Sequence, residues 1–350
     1  MNIGRRSRVR IIGIGLAIAM VFCAGYLFEK AALIPCITPL GKPSVGYDGS
    51  AYALPEVSLA EPRISSISFV SGKWFLMSPR RIWTSIDLTS WKEIPAPDGA
   101  IADIKWAGSA WIAVGWSDGN GRVWVSTNLQ SWRQLPVVLP GDLESSDFES
   151  IDRIAGEWRI LGEAQEPGAN TYPAMWRTQD LVNFSVPEYP IGRADYKALG
   201  ESEATRDYLT DVASHDGKTV LIHRRLSDGR LRDRQFYAFS KDGFNFKRAG
   251  NLMQEQQSEE IFAVAALKGR GWLAVGTRKD YPSSTPVSAL FSTSGTRWDP
   301  AGTIVGSPEV RTIYDLAVSP KEIVMIGEPS GQDDYRTWLW TLNVDPCKHT

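Results

Sequence analysis

The chain has 350 residues, of which 43% are hydrophobic and 22% charged, with 14 Trp and a formal net charge of −2. This composition is typical of a globular protein and excludes a disordered chain. Four arginines lie in the first ten residues, so the remainder carries 38 − 4 = 34 basic against 40 acidic side chains, a balance of −6. A mildly acidic body lacks the basic face of nucleic-acid-binding proteins, and we expect no nucleic-acid partner.

The N-terminal segment predicts where the protein is located in the cell. Residues 1–10 are basic, and residues 11–28 contain no charged side chain. That apolar run is close to the length of a membrane-spanning helix. The arginines should stay in the cytoplasm, which places the rest of the chain on the extracytoplasmic side, periplasmic or extracellular. We interpret residues 11–28 as a single-pass signal-anchor in the cytoplasmic membrane, followed by a linker over 29–50. A cleaved signal peptide and a secreted protein are the alternative.

Residues 51–347 contain six degenerate copies of a Trp-rich repeat of about fifty residues. Each copy has an apolar strand ending in or near glycine. Further along each copy come Ser or Thr, any residue, and then Asp or Asn in most copies. The first five copies add an aromatic residue four positions after the Asp or Asn position. The copies begin at Ser85, Ser126, Thr178, Ser240, Ser292 and Thr341. Four short strands in each of six repeats predict an all-β, six-bladed β-propeller.

The last repeat ends too early to include a fourth strand. We expect residues 51–59 to supply the outer strand of the last blade, which would remove an exposed sheet edge. This exchange would also bring the two ends of the repeat region together, where Cys36 and Cys347 lie. In an oxidising compartment the two cysteines are predicted to form a disulfide. Two free thiols are the alternative.

The repeated turn resembles the Asp-box of the sialidase, or bacterial neuraminidase repeat, superfamily over about residues 60–345. The resemblance implies that the Asp or Asn of each box forms a turn away from the active site. It also implies what catalysis would require: three arginines, a Tyr–Glu nucleophile pair and an acid–base Asp. Arg63, Arg311 and Tyr314 are the candidates. The other members have no motif, which favours a non-catalytic relative, with a sialidase-like glycoside hydrolase as the alternative.

The longest connections all emerge from one side of the predicted propeller, and loops that vary on a rigid scaffold tend to carry function. We therefore expect a protein or glycan partner on this long-loop face, bound by a membrane-anchored, non-catalytic scaffold or assembly factor. The segment Ser117–Gly121 is predicted to be a hairpin turn rather than a calcium loop, and no metal or cofactor is predicted. The candidate binding residues are polar or aromatic and lie at strand starts or in loops: Asp103, Asp152, Asp211, Glu260, Asp315, Trp116 and Tyr208.

Overall fold

The structure is a computed structural model that describes residues 44–53, 64–168, 171–188, 206–226, 234–251, 259–278, 287–303, 310–329 and 337–345. Over these ranges the regular structure is entirely β, with 23 strands in six antiparallel sheets. Residues 1–43, with the predicted membrane segment, and both Cys36 and Cys347 lie outside them. Among the residues described, none belongs to a helix long and apolar enough to cross a membrane.

The chain begins with β1 (Ser44–Ala53) and then builds the sheets in order. The first sheet contains β2 (Ser66–Val70), β3 (Lys73–Ser78), β4 (Arg81–Ser85) and β5 (Lys92–Ile94). The second contains β6 (Ala100–Trp106), β7 (Trp111–Ser117), β8 (Asn120–Ser126) and β9 (Arg133–Gln134). The third contains β10 (Ser145–Ile154), β11 (Glu157–Gln165) and β12 (Tyr172–Thr178).

The remaining sheets repeat this plan. The fourth contains β13 (Arg206–His215), β14 (Lys218–Leu226), β15 (Arg234–Ser240) and β16 (Phe246–Asn251). The fifth contains β17 (Glu259–Leu267), β18 (Gly271–Arg278), β19 (Ser288–Ser292) and β20 (Asp299–Thr303). The sixth contains β21 (Val310–Val318), β22 (Ile323–Pro329) and β23 (Trp338–Asp345), with β1 added at its outer edge.

The core lies between the sheets. The described residues form six hydrophobic clusters, and each cluster is shared by two sheets that are neighbours in the chain, including the sixth and the first. Buried tryptophans, such as Trp124, Trp272 and Trp340, contribute the largest side chains. The first strand of each sheet lies innermost, and β21 contacts β2, so the series of sheets closes on itself. This arrangement is a β-propeller.

The strand that completes the sixth sheet lies earlier in the sequence than we predicted. It is Ser44–Ala53 rather than residues 51–59, so residues 44–50 form strand instead of linker. The reason is the length of β23, which continues to Asp345 and pairs there with Ser44. An antiparallel partner that covers the whole of β23 must therefore begin at Ser44. Residues 54–63 lie outside the described ranges.

The third sheet departs from the four-strand prediction, because it has three strands in the described residues. The chain returns along β12 through an isolated bridge between Met175 and Glu188 and a hydrogen bond from the Ser185 N–H to the Arg177 carbonyl. Pro187 precedes Glu188 and has no N–H to donate, which limits regular pairing at this edge.

Five of the six predicted box turns form in the same way. In the first, the Ser85 hydroxyl accepts the N–H of Leu88 at 3.0 Å, and the Asp87 carboxylate accepts the N–H groups of Thr89 and Ser90 at 2.9 Å. The sixth copy forms no such turn, because Thr341 lies within β23. One residue in each of the five turns has a positive φ angle; these residues are Leu88, Leu129, Leu181, Gly243 and Gly295.

Candidate functional site

The innermost strands of the second to sixth sheets each carry a β-bulge near their start. In most of these sheets the bulge lies opposite the repeat glycine on the next strand. A Cβ on Gly115, Gly162 or Gly327 would lie 1.8, 1.9 or 2.2 Å from a carbonyl oxygen of the bulged strand. Glycine is therefore required wherever the bulged backbone approaches this closely. The extra residues at these bulges are Ala102, Glu149, Thr210, Phe262 and Tyr314. Of these, Ala102 and Glu149 line the channel, whereas Phe262 and Tyr314 pack against hydrophobic clusters.

Aspartates follow the bulge in alternate sheets and join those sheets to their neighbours. Asp315 accepts the N–H of Leu316 at 2.6 Å and, across the sheet boundary, the N–H of Ile67 at 2.8 Å. Asp211 does the same with Val212 and Val264, at 2.6 Å each. Asp103 repeats the pattern with Ile104 at 2.7 Å and Ile151 at 3.1 Å. We call Asp103, Asp211 and Asp315 the bridging aspartates.

The bridging aspartates line a cavity of about 240 Å³ along the channel, formed by the innermost strands of all six sheets. Burial raises the pKa of Asp211 well above its ordinary value and that of Asp315 to about 6, although the backbone N–H groups favour the ionised forms. Lys105 lies in the same channel, with its Nζ 3.3 Å from the Asp103 carboxylate. Burial opposes the charge of Lys105, but the charges of Asp103 and Asp152 raise its pKa overall.

Asp152 lines the same cavity and also takes part in a contact between sheets. It lies beyond the bulge, within β10, and its carboxylate forms a salt bridge of 2.8 Å with Arg159. The Arg159 guanidinium is buried and also donates to the Thr219 hydroxyl and the Gly243 carbonyl, both at 2.7 Å. Asp152 therefore helps to join the third and fourth sheets.

A group of three carboxylates lies where the third sheet meets the channel mouth. Asp147 and Glu163 are direct partners across β10 and β11, and Glu149 is the bulge residue beside them. Burial raises the pKa of Glu149 well above its usual range, and the charges of Glu163, Asp147 and Asp211 raise it further. Burial and Asp147 raise the pKa of Glu163 to about 7, while a hydrogen bond from the Leu209 N–H favours its ionised form. We call Asp147, Glu149 and Glu163 the carboxylate cluster.

The sixth sheet places a second pair at equivalent positions. Tyr314 is its bulge residue, as Glu149 is in the third sheet, and Glu328 follows the repeat glycine, as Glu163 does. The Tyr314 hydroxyl donates to the Glu328 carboxylate at 2.5 Å, and Glu328 is buried. A short bond from a neutral hydroxyl to a carboxylate is strong. Arg311 belongs to the same strand, but its side chain is outside the description.

Three other predicted site residues lie partly or wholly outside the description. Glu260 lies on β17 and Tyr208 on β13, with side chains beyond what the structure describes, and Arg63 falls wholly outside it. Trp116 follows Gly115 in the second sheet, at the position that Glu163 and Glu328 occupy in theirs.

The predicted hairpin at Ser117–Gly121 is confirmed. Asp118 and Gly119 have φ angles of 53° and 70°, as a type I′ turn requires. Within the described ranges, no group of acidic, His or Cys side chains is arranged to hold a metal ion.

Glu149, Glu163, Glu328 and Lys105 were not among the predicted site residues. Two signals in the repeats could have found the glutamates. Aligning the copies places Glu163 and Glu328 directly after the repeat glycine, and Glu149 in the same column as Tyr314. The bulge at this column is not visible in the alternation of apolar residues, so the column was interpreted as ordinary strand.

No protein-family model and no curated protein matches the sequence. Solved structures do. An α-L-arabinofuranosidase from Fusarium graminearum aligns over 87% of this chain and 98% of its own, with 14% identity and a TM-score of 0.56. A Penicillium chrysogenum α-L-arabinanase, solved with arabinobiose, aligns over 84% and 99%, with 10% identity and a TM-score of 0.54. A sialidase from Trypanosoma rangeli aligns over 85% and 57%, with 12% identity and a TM-score of 0.48.

These similarities agree with the β-propeller fold. At 10% to 14% identity they show the fold alone.

Proposed function

We propose that the chain is a glycoside hydrolase built on a six-bladed propeller, with its active site at the carboxylate cluster. The observation that carries the proposal is Glu149, a buried carboxyl group whose pKa is raised well above its ordinary range, beside the facing pair Asp147 and Glu163. The similarity to arabinan-degrading enzymes of the same fold supports this proposal over the non-catalytic scaffold that the sequence favoured.

Cleavage of a glycosidic bond requires a carboxylic acid that protonates the leaving oxygen and a second carboxylate that acts as base or nucleophile. Environments that separate the pKa values of two carboxyl groups assign these roles. Glu149 is the acid, because burial and three neighbouring carboxylates hold its proton. Glu163 is assigned as the second carboxylate, because the Leu209 N–H stabilises its charged form.

The charge of the site favours a neutral glycoside. The carboxylate cluster and the bridging aspartates surround the mouth with acidic groups, and Lys105 is the cation that lines the described channel. An anionic sugar would be repelled here. The structures that resemble this fold were solved with arabinobiose and an iminosugar, which are not carboxylate sugars.

A sialoside hydrolase is the second candidate, and one observation favours it. The pair of Tyr314 and Glu328 matches the Tyr–Glu nucleophile that the family resemblance implies. Arg63 and Arg311 would then bind the carboxylate of the sugar.

Hydrolysis of a substrate panel tests the proposal. The panel contains aryl α-L-arabinofuranoside, linear arabinan oligosaccharides and a fluorogenic sialoside. We expect turnover of an arabinoside, with kcat/KM at least about 100-fold lower in Glu149→Gln, as for loss of a general acid. Glu144→Gln is the matched control, because Glu144 is exposed in the preceding connection. Absence of turnover on the whole panel, or equal rates in Glu149→Gln and the wild type, would refute the proposal.

We also propose that residues 11–28 anchor the propeller to the cytoplasmic membrane on its extracytoplasmic side and that Cys36 pairs with Cys347. The support is the sequence: a basic segment, an uncharged run and cysteines that flank the described unit. Resistance to alkaline carbonate extraction and a mass shift of the linked peptides on reduction are the expected results. Full release of the protein by carbonate would contradict the anchor.

A further inference from the structure

We propose that the groove between the first and second sheets, at the rim of the channel mouth, binds one sugar ring of an oligosaccharide. This inference rests on the proposed hydrolase function and extends it to a substrate long enough to leave the channel. The groove has a volume of about 630 Å³, within the range of small-molecule sites.

Short connections form the groove. The β3–β4 turn contributes Pro79 and Arg80, and the β7–β8 turn contributes Asp118. These turns are short in the first two sheets. The corresponding connection of the third sheet is longer and runs from Gln165 to Tyr172. Because β7 ends where β11 ends in its own sheet, the groove opens on the same side of the propeller as the carboxylate cluster.

Small residues make the floor of the groove. Gly99 has a φ angle of 149°, and a Cβ there would lie 2.7 Å from the Trp124 ring and 3.0 Å from the Trp116 carbonyl oxygen. Ala100 follows it, at the start of β6. A side chain at Gly99 would therefore clash with the buried Trp124 ring, which keeps this position of the floor small.

Trp116 forms the aromatic wall. Its side chain is half-buried, and it belongs to none of the hydrophobic clusters or ring pairs that the described residues form. Its indole N–H has no hydrogen-bond acceptor among those residues. Most other tryptophans of this part of the chain pack in the core, such as Trp111 and Trp124. The fold thus leaves an aromatic face and a donor available to a ligand.

The charged groups around Trp116 are also available. Arg80, Asp98 and Asp118 are exposed, and no salt bridge joins them to another described residue. Planar guanidinium and carboxylate groups offer paired donors and acceptors to neighbouring hydroxyl groups. Two acids against one base disfavour a polyanion. A ring with a C–H face and several hydroxyl groups satisfies both the aromatic wall and these polar groups, which is the chemistry of a neutral sugar.

Binding of linear arabinohexaose to the full-length Glu149→Gln protein, measured by calorimetry, tests the groove. We expect Trp116→Ala to raise the Kd at least tenfold and Trp116→Phe to stay within about threefold, because the ring is kept. Trp106→Ala is the matched control: Trp106 is 37% exposed, on the β6 end remote from the groove, and should leave the Kd unchanged.

The outcomes separate the two proposals. Equal Kd values for Trp116→Ala and Trp106→Ala, or no binding of arabinohexaose at all, would overturn the groove. Binding that depends on Trp116 without hydrolysis of any panel substrate by the wild type would refute the hydrolase and leave the groove standing. Hydrolysis of a panel substrate, with binding that does not depend on Trp116, would overturn the groove and leave the hydrolase standing.

Discussion

The box turns hold leucine where a left-handed backbone favours glycine. Leu88, Leu129 and Leu181 have φ angles of 62° to 64° and are buried. Such a conformation costs about 1 kcal/mol or more for a residue with a Cβ. The buried leucine offsets this cost, since a fully buried Leu contributes roughly 1.5–3 kcal/mol. Gly243 and Gly295 replace it where a neighbouring sheet already fills the space, with Ile154 and Phe239.

We predict that Gly295→Ala destabilises the protein more than Gly217→Ala does. The two glycines have φ angles of 74° and 75°, so the backbone cost is the same. A Cβ at Gly295 would lie 2.6 Å from the Phe239 ring, whereas nothing lies within 4 Å at Gly217. We expect a difference of about 1–3 kcal/mol in the free energy of unfolding, as for overpacking. Equal losses in urea denaturation would show that Phe239 yields without cost.

The bridging aspartates act between elements, because each satisfies N–H groups on two sheets. We predict that Asp211→Leu lowers the free energy of unfolding by about 2–4 kcal/mol, since two N–H groups would be left without a partner. Ser150→Ala, at the same strand position in the third sheet, should change it by less than about 0.5 kcal/mol. Urea denaturation measures both values. If Asp211→Leu lowers the free energy of unfolding no more than Ser150→Ala does, Asp211 does not stabilise the contact between the sheets.

The strands themselves were predictable from the sequence, because each apolar run, such as Trp111–Gly115, is followed by a turn motif whose hydrogen bonds are local. The bulges were not, because they depend on two strands meeting with unequal residue counts. Asp211 illustrates the difference. Its place at the start of an innermost strand was predicted from the repeat, whereas its bond to Val264 in the next sheet depends on how the sheets pack.

At the scale of the molecule, buried carboxyl groups link stability to pH. The folded pKa values of Asp315 and Glu163, about 6 and about 7, lie above the ordinary values near 4. The folded state therefore holds more protons than the unfolded chain between pH 4 and 7, and its stability falls as pH rises through that window. The box aspartates Asp180 and Asp242 act oppositely, because backbone N–H groups lower their pKa values and their contribution is lost in stronger acid.

We predict a thermal stability maximum near pH 4–5, with a lower Tm at pH 7.5. Glu163→Gln should reduce the fall between pH 5 and 7.5, since it removes one of the groups that titrate there. Scanning calorimetry across this range checks both statements. A Tm that rises steadily from pH 5 to 7.5 would contradict the assigned direction.

The ring of sheets followed from the sequence, since six copies of one unit predict a propeller. The carboxylate cluster did not: alignment of the copies singles out the columns of Glu149 and Glu163, but their approach to Asp211 depends on how the third and fourth sheets pack. The sequence of one repeat contains no information on a contact between two sheets.

The pH dependence of kcat/KM for arabinan oligosaccharide hydrolysis tests the proposed active site most directly. Because Glu163 must be ionised and Glu149 must carry the proton that it gives to the leaving oxygen, the wild-type rate should rise as pH passes the Glu163 pKa of about 7 and fall at higher pH as Glu149 loses its proton. Glu149→Gln should be at least about 100-fold slower at the wild-type maximum. A wild-type profile without the alkaline fall, or a Glu149→Gln profile that coincides with the wild type, would contradict the proposed active site.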